Sequence, residues 1–452
     1  MDKPKLRFRK KPKPPRTKKQ NIFRVCIRCI QVFLILAVMY TVCVFSNIPF
    51  IEKWRVIYIE TAMSTNSHQW LATAFIPHFI IDDVMYDKAE AFAEQENLNS
   101  TWEDVPVEED PVDIVLHDDT EAVVKEPEEP TPAEIASEYY TKYWELNSAT
   151  VRAYMDNKNF TTKEQWEEFK FEDMDWSEGL KTIHGDKVLV WDIPNNMILV
   201  GVENGTDYKA KLCIVKDPAQ VDLAKAASLG SRGEIIDNFG TRNGALVAIN
   251  ASGFVDPEGH GNGGVVNGCL VIDGKNYGNA KSSKHSFWKM IGCKYDNRLY
   301  VSNFYESDVT EYNWAVEFFP AIAVNGECVV RGTYGLGLQP RTAIGQAKDG
   351  TFMLLIVDGR QVGYSVGCTM ATCADILIEY GAYQAANLDG GSSSIMWYNG
   401  RQITKSSSPS GFGRYLPDAI IVRPAADVTP SEETPSGGAQ SGETTDTASA
   451  QN

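Results

Sequence analysis

Short apolar runs alternate with glycine, asparagine and aspartate turns from about residue 183 to residue 424. Runs of this length between turn residues are typical of β-strands. The runs are KVLVWDI, MILVGVE, KLCIVKD, GALVAIN, VVNGCLVIDG, FFPAIAVNG, RTAIGQ, TFMLLIVDG, QAANLDG, SSIMWYNG and DAIIVRP. Helices are predicted after residues 231–234, which have capping-box spacing, and over residues 369–380. The pattern predicts the α+β class, with a strand-rich mixed sheet and a few packed helices.

Near the N-terminus the pattern changes to 21 residues without a charged side chain, residues 30–50. A helix of that length crosses the hydrocarbon core of a bilayer, which is about 30 Å thick. Residues 1–28 carry twelve Lys or Arg and only one acid, Asp2. The positive-inside rule places this basic arm, residues 1–29, in the cytoplasm. We therefore predict a single-pass cell-membrane protein whose folded part is extracellular.

Two alternatives for this N-terminal region are less favoured. The apolar run is longer than the core of a signal peptide, and no small-x-small cleavage site follows it. The basic arm is accounted for by topology and by attraction to anionic lipid, so no nucleic-acid partner is predicted.

The segments on either side of the strand-rich region differ from it in composition. Residues 51–133 are predicted as a juxtamembrane segment and an acidic, proline-rich stalk, because residues 102–134 hold thirteen acids, one lysine and five prolines. Within the juxtamembrane segment, residues 67–85 are apolar and aromatic, which fits an interfacial segment, a helix packed near the membrane or a partner contact. Residues 134–182 are predicted as a helical lead-in, and residues 425–452 as a disordered tail.

Six of the nine cysteines lie outside the anchor. An even number in an oxidising compartment fits disulfides, although free buried thiols fit equally, and the sequence leaves the pairing open. Cys368 and Cys373 lack a second Cys or His pair at zinc-like spacing, so a zinc site is not predicted. The sequence predicts no metal and no cofactor.

The first motif with possible chemistry is AINASGF, which ends a strand in polar and glycine residues. Asn250, Ser252 and Gly253 would lie on a loop where backbone can approach a ligand closely. An ordinary glycine-rich turn is the alternative.

The second motif joins PRTAIG to LLIVDGR through a Lys-Asp-Gly hairpin signal. Arg341 would enter one strand and Asp358 would leave the next, so both would lie at the same end of an antiparallel pair. The planar guanidinium of Arg341 or Arg360 suits a phosphate, whereas a structural ion pair between Arg341 and Asp358 is the alternative.

The third motif, NLDGGSSS, is the most specific of the three. A carboxylate at a strand end, followed by glycines and hydroxyls, offers an acid or base beside backbone that can bind an anion. A tight turn capped by its aspartate is the alternative. The candidate residues of this motif are Asn387, Asp389, Gly390, Gly391, Ser392 and Ser393.

Together, the order and spacing of these motifs resemble the phosphodiester glycosidase family, typified by an enzyme that removes N-acetylglucosamine from a sugar-1-phosphodiester. The resemblance covers about residues 183–424 and is carried by AINASGF, PRTAIG, LLIVDGR and NLDGGSS. This chain departs from the family at Ser392, where many members have a third glycine, and at Ser252, which interrupts a more common Asn-Ala-Gly pattern.

The resemblance implies hydrolysis of the bond between an anomeric carbon and a phosphodiester oxygen. Arg341 and Arg360 would bind the phosphate, and Asp389, or else Asp358, would act as base or nucleophile. Residues expected to contact substrate are Asn250, Ser252, Gly253, Asn387, Gly390, Gly391, Ser392 and Ser393.

The expected substrate is a phosphodiester-linked glycan of a bacterial cell envelope, such as an exopolysaccharide, a teichoic-acid-like polymer or a glycosylated lipid phosphate. A module that binds phosphoglycans without cleaving them, and a transferase that moves the sugar to another acceptor, remain alternatives. The sequence leaves open the sugar, the stereochemical outcome and the oligomeric state.

Overall fold

The computed structural model describes residues 18–102, 130–283 and 285–427. Most of the predicted basic arm, most of the stalk and nearly all of the predicted tail lie outside the described residues. The described helices are α1 (Lys18–Phe45), α2 (Pro49–Met63), α3 (Trp70–Thr73), α4 (His78–Ala93), α5 (Pro132–Lys142), α6 (Ser148–Met155), α7 (Lys163–Glu167), α8 (Ile236–Arg242) and α9 (Met370–Glu379). The described strands are β1 (Lys170–Glu172), β2 (Lys187–Asp192), β3 (Met197–Asn204), β4 (Tyr208–Val215), β5 (Val221–Lys225), β6 (Val247–Asn250), β7 (Leu270–Ile272), β8 (Lys275–Asn276), β9 (Lys289–Lys294), β10 (Leu299–Ser302), β11 (Tyr312–Phe318), β12 (Ala321–Val324), β13 (Glu327–Cys328), β14 (Arg341–Ala347), β15 (Phe352–Val357), β16 (Ala382–Asn387), β17 (Met396–Tyr398), β18 (Arg401–Gln402) and β19 (Asp418–Val422).

These strands form three antiparallel sheets. Sheet A has nine strands in the order β1-β2-β3-β4-β15-β14-β16-β12-β13, sheet B has the order β10-β9-β11-β7-β8, and sheet C has the order β18-β17-β6-β19-β5. The α+β class is confirmed, although the strands make three antiparallel sheets rather than one mixed sheet. Strands β1, β5, β8, β9, β10, β11, β13 and β18 were not among the predicted runs.

The main core lies between one face of sheet A and the inner faces of sheets B and C. Leu199, Leu354 and Ile356 of sheet A pack there with Trp314 of sheet B and Ile420 of sheet C. Each of these side chains is fully buried, so this layer supplies much of the hydrophobic stabilisation of the domain. The layered arrangement brings the strand ends of sheets A and C together at one edge.

The other face of sheet A is covered by helices. The predicted helical lead-in is present as α5, α6 and α7, and its Trp166 stacks on Tyr139 at 4.9 Å between ring centroids and contacts Trp191 of β2. Beside these rings, Lys216 and the buried Glu145 form an ion pair. The lead-in is therefore packed into the domain rather than being a separate unit.

Two predicted helix starts have different outcomes. Helix α9 is present, and Thr369 Oγ1 accepts a hydrogen bond from Thr372 N as its cap. The capping box predicted at residues 231–234 is wrong, since Glu234 accepts from Ala227 N and Arg242 Nε, and α8 begins after Ile235 without a side-chain cap. Because these two donors occupy the carboxylate of Glu234, it does not bond to the backbone N–H groups at the start of α8.

Helix α1 is, among the described residues, the one long and apolar enough to cross a membrane, which fits a membrane span or a signal sequence. It ends at Phe45, five residues before the predicted end of the span. Pro49 starts α2 and disfavours helical backbone at Ile48, which has φ −66° and ψ 121°.

Helices α2, α3 and α4 occupy the segment predicted as juxtamembrane. Ile59, Ala72 and Ile81 form a small core with Val44 of α1. Residues 67–85 are thus helical over α3 and the first part of α4. All nine cysteines are free thiols, so none of the disulfides considered from the sequence is present.

Candidate active site

The three predicted motifs meet where sheets A and C adjoin. Strand β14 begins at Arg341, β16 ends at Asn387 beside it, and β6 of sheet C ends at Asn250. Asp389 N donates to Ala251 O at 3.0 Å, which joins the NLDGGSSS turn to the AINASGF loop. Long-range pairing has therefore brought together residues that are more than a hundred positions apart in sequence.

Asn250 fixes this junction through both ends of its amide. Its Oδ1 accepts from Thr342 Oγ1 at 2.9 Å and from Ile395 N at 3.2 Å, and its Nδ2 donates to Asp389 O at 2.5 Å. The side chain is fully buried and lies outside the lining of the nearby cavity. Asn250 thus supports the turn that carries Asp389, where the sequence had suggested contact with substrate.

Ser252 is also placed behind the cavity wall. Its backbone N–H donates to Asp418 Oδ1 at 2.8 Å, and burial raises the pKa of Asp418 to about 6. Gly253 does line the cavity, and a Cβ there would lie 2.9 Å from the Phe318 ring. In the AINASGF loop, Gly253 therefore lines the cavity, whereas Asn250 and Ser252 hold the loop and its neighbours in place from behind.

A cavity of about 1060 Å³ opens over this junction. Predicted candidates that line it are Gly253, Arg341, Arg360, Asn387, Asp389, Gly390, Gly391, Ser392 and Ser393. The cavity is also lined by α2, α3 and the loop between them, with Tyr58, Thr61, His68 and Leu71. A volume of this size accommodates a sugar with a phosphate and part of a further group.

Asp389 is a carboxyl group of this cavity with a raised pKa. Burial raises its pKa to about 7, although a hydrogen bond from Ser393 and the charge of Arg414 act in the opposite direction. A group with this pKa exists in both protonation states near neutral pH, which suits proton transfer. The carboxyl group is held on a turn whose backbone is bonded to both neighbouring sheets.

Asp256 is a second carboxyl group in the cavity, and its surroundings differ. Arg414 donates to it bidentately at 2.7 and 3.2 Å and also donates to Ser392 Oγ at 3.2 Å. Burial alone would raise the pKa of Asp256, but the hydrogen bonds from Arg414 and Gly261 N–H outweigh it and lower the pKa. Two carboxyl groups with oppositely shifted pKa values are a common arrangement for acid and base chemistry.

Arg341 and Arg360 form a cationic wall of the same cavity. Arg341 donates to Leu336 O at 3.1 Å, Gly337 O at 2.8 Å and Cys368 O at 3.4 Å. Arg360 donates from Nε and Nη2 to Gln339 Oε1 at 2.9 and 2.5 Å.

All of these acceptors are neutral, and neither guanidinium forms an ion pair with a described residue. Burial and the charge of Arg341 lower the pKa of Arg360 to about 10. Arg341 is buried and Arg360 is open to the solvent on the cavity side. Two neighbouring guanidiniums without a carboxylate hydrogen-bond partner among the described residues favour the binding of an anion in the cavity beside them.

The glycine and amide positions complete the cavity floor. Gly391 has φ 64°, and a Cβ there would lie 3.1 Å from Arg360 Nη2, so a side chain would press on the guanidinium. Asn387 Nδ2 donates to Phe319 O at 2.8 Å, whereas its buried Oδ1 has no hydrogen-bond partner among the described residues. That oxygen is available to a sugar hydroxyl or amide.

Asp358 lies outside the cavity, unlike the other catalytic candidates. Its Oδ1 accepts from Lys405 N at 2.9 Å and its Oδ2 accepts from Tyr364 Oη at 3.1 Å. The predicted hairpin is confirmed, since Arg341 pairs with Val357 across β14 and β15. Among the described residues, the ion pair considered between Arg341 and Asp358 does not form.

Arg414 and the residues of α2 and α3 were not among the predicted site residues. Arg414 is the one basic residue between residues 406 and 415, a stretch rich in serine and glycine. That composition is the feature of the sequence from which Arg414 could have been chosen as a candidate. Nothing in the sequence indicated that helices next to the anchor would reach the cavity. In the described ranges, no cluster of three or more His, Cys, Asp or Glu side chains is placed to hold a metal ion.

A comparison with family profiles supports the resemblance, and solved structures were compared as well. The phosphodiester glycosidase family profile matches residues 243–423. Among solved structures, the catalytic domain of zebrafish N-acetylglucosamine-1-phosphodiester alpha-N-acetylglucosaminidase, auto-inhibited by its pro-peptide, matches at 20% identity with a TM-score of 0.41, covering 50% of this chain and 82% of that one.

Two further structures match at lower identity. A protein of Burkholderia pseudomallei, described as exported, has 16% identity and a TM-score of 0.37, over 48% of this chain and 74% of its own. A Synechocystis protein described as hypothetical has 14% identity and a TM-score of 0.39, over 53% and 64%. No curated protein matches the chain in sequence. The resemblance predicted from the motifs is confirmed, because residues 243–423 match the phosphodiester glycosidase family.

Proposed function

We propose that this chain is an extracytoplasmic hydrolase that cleaves a sugar-1-phosphodiester bond, with Asp389 as the base or nucleophile at the anomeric carbon. The family match supports glycosidase chemistry on phosphodiester-linked sugars. The observation that carries the assignment of the site is that the guanidiniums of Arg341 and Arg360 line the same cavity as Asp389 and donate only to neutral oxygens of the described residues.

In this mechanism, the substrate phosphate lies against Arg360, with Arg341 behind it. The phosphate departs as a stabilised anion, so binding its charge lowers the barrier more than protonating it would. Asp389 in its ionised form takes a proton from water, or attacks directly, as positive charge develops on the sugar ring. Asp256 stays ionised and adds to the negative potential, while Arg414 positions Asp256 and Ser392.

The chain context extends the proposal to location. Helix α1 serves as a membrane anchor, with the basic arm in the cytoplasm and the domain outside, consistent with the positive-inside rule. Substrates would then be phosphodiester-linked glycans of a cell envelope.

The first experiment measures sugar release by the full-length chain in detergent from sugar-1-phosphodiesters. We expect release by the parent chain and a loss of at least about 100-fold in Asp389→Asn, the scale of a catalytic acid or base. Asp358→Asn is the matched control, because Asp358 also follows a strand of sheet A and has a raised pKa but lies outside the cavity.

Other outcomes would identify the alternatives. Retained glycan binding without release, unchanged in Asp389→Asn, would show a binding module. Sugar transfer to an added acceptor in place of hydrolysis would show a transferase.

A further inference from the structure

We infer that the glycan substrate is membrane-borne: its sugar-1-phosphodiester is esterified to a lipid that stays in the bilayer while the headgroup enters the cavity. This inference rests on the proposed function and narrows its substrate class.

The cavity is closed on one side by helices that directly follow the anchor. Tyr58 and Thr61 of α2 and Leu71 of α3 line the same cavity as Asp389 and Arg360. The headgroup site is therefore bounded by the catalytic turn on one side and by the membrane-proximal helices on the other. We call α2, α3 and α4, residues 49–93, the roof.

The roof is bonded firmly to the catalytic domain. Leu338 N donates to Thr61 Oγ1 at 3.0 Å, and Gln339 Nε2 donates to Thr61 O at 3.0 Å. Gly337 has φ +61°, and a Cβ there would lie 2.2 Å from Thr61 Oγ1. Gln339 is the residue that also accepts from Arg360, so the roof is connected to the phosphate wall through one side chain.

The roof is bonded equally to the anchor. Tyr40 Oη in α1 donates to Phe75 O at 2.8 Å, and Arg55 Nη1 donates to Ser46 O at 2.7 Å. Val44 of α1 is buried in the core of the roof. Since α1 ends at Phe45, contacts at residues 40–46 place the roof at the outer surface of the membrane that α1 would span.

The exposed side chains of the roof are those of a membrane interface. Phe50 is 71% exposed, Phe79 66%, Trp70 55% and Trp54 50%. Aromatic side chains are enriched where a protein meets lipid headgroups, and exposed apolar groups of this size are costly in water. The bilayer is the occupant that fits these residues, because α1 continues directly into it.

Catalysis on such a substrate divides the products between two phases. The oxygen of water bonds to the anomeric carbon, the bond from that carbon to the phosphate oxygen breaks, and its electron pair leaves with the phosphate. One proton of water passes to Asp389 and then to solvent. Free sugar enters the water, and the lipid monophosphate remains in the bilayer.

The test uses the full chain in phosphatidylcholine vesicles with two probes that share one headgroup, N-acetylglucosamine 1-phosphate. One probe is esterified to a long-chain isoprenoid alcohol held in the same vesicles, and the other is a water-soluble methyl ester. We expect kcat/KM for the lipid ester to exceed that for the methyl ester by at least about tenfold, since lipid concentrates the substrate at the roof.

Variants of exposed residues separate this inference from the function itself. Trp70→Ser and Phe79→Ser should lower the rate on the lipid ester by about fivefold or more while leaving the methyl ester unchanged, because each removes interfacial apolar area outside the cavity. Tyr295→Ser, which changes a 58% exposed aromatic far along the chain in the domain, should alter neither rate.

Equal rates on the two esters, with no effect of the roof variants, would overturn the lipid substrate and leave the hydrolase standing. No release from either ester, with N-acetylglucosamine replaced in turn by glucose and galactose, would overturn the hydrolase and this inference with it.

Discussion

Asp389 and Asp358 follow buried strands of the same sheet, and burial raises the pKa of both, to about 7 and about 6. Asp358 is enclosed by its own neighbours, with Tyr364 and the Lys405 N–H bonded to its oxygens. Asp389 faces a cavity with two arginines and a second carboxyl group. A raised pKa alone does not distinguish a catalytic from a structural aspartate, whereas access to a ligand-sized space with complementary charge does.

The largest expected effect on activity is that of replacing Asp389. Asp389→Asn should lower kcat by about 10²- to 10⁴-fold, because the base or nucleophile is lost while shape is kept. Initial rates of sugar release measure this. Thermal unfolding serves as the control, and the variant should unfold at a temperature no lower than the parent, since replacing an aspartate of raised pKa relieves the cost of its ionisation. A rate within threefold of the parent would remove Asp389 from the mechanism.

The pH dependence of activity should report Asp389 rather than Asp358. If ionised Asp389 is required, kcat/KM rises by roughly tenfold per pH unit below 7 and levels off above it, because its pKa is raised to about 7. Rates from pH 4 to 9 provide the profile. Asp358→Asn should leave the inflection in place, and an inflection near pH 4 in the parent would contradict the assignment.

Arg360 tests the cation that lines the cavity together with Asp389. Arg360→Gln should lower kcat/KM by about 10- to 100-fold, since a cation of the cavity wall that meets the phosphate is lost. Arg401→Gln on the exposed strand β18 is the control and should behave like the parent. Inorganic phosphate should inhibit the parent more strongly than the Arg360 variant, and equal inhibition would exclude Arg360 from the phosphate site.

The smallest effect on activity is expected at Asp358. Asp358→Asn should keep kcat within about threefold, because its contacts are to Tyr364 and Lys405 rather than to the cavity. Its folded pKa lies above the ordinary value of 3.8, so the ionised carboxylate is disfavoured by folding. The free energy of unfolding of the parent should thus decrease by up to about 3 kcal/mol as pH rises from about 4 to 6, at 1.36 kcal/mol per pKa unit.

Denaturant unfolding at several pH values measures this, and the Asn variant should show a smaller decrease. A loss of activity in Asp358→Asn comparable to that of Asp389→Asn would end the distinction between the two aspartates.

The sequence by itself determined the local features. Alternation of apolar runs with turn residues located most strands of sheets A and C, since burial of a strand face depends on its own composition. Four short sequence motifs were sufficient to predict the resemblance that the family profile finds over residues 243–423, because a turn that exposes a carboxylate next to glycines restricts residue type at each position. The hairpin between Arg341 and Asp358 followed from the same local rules.

Only the tertiary structure decided which of these residues face a common cavity. Asn250 and Ser252 occupy motif positions like those of Gly253, yet pairing between sheets buries them behind the wall. Arg341 and Asp358 share one end of a hairpin, but side-chain hydrogen bonds direct them to different neighbours. The roof could not be predicted, because the contacts of Thr61 with Leu338 and Gln339 join parts of the chain about 280 residues apart, and no local pattern encodes such a pairing.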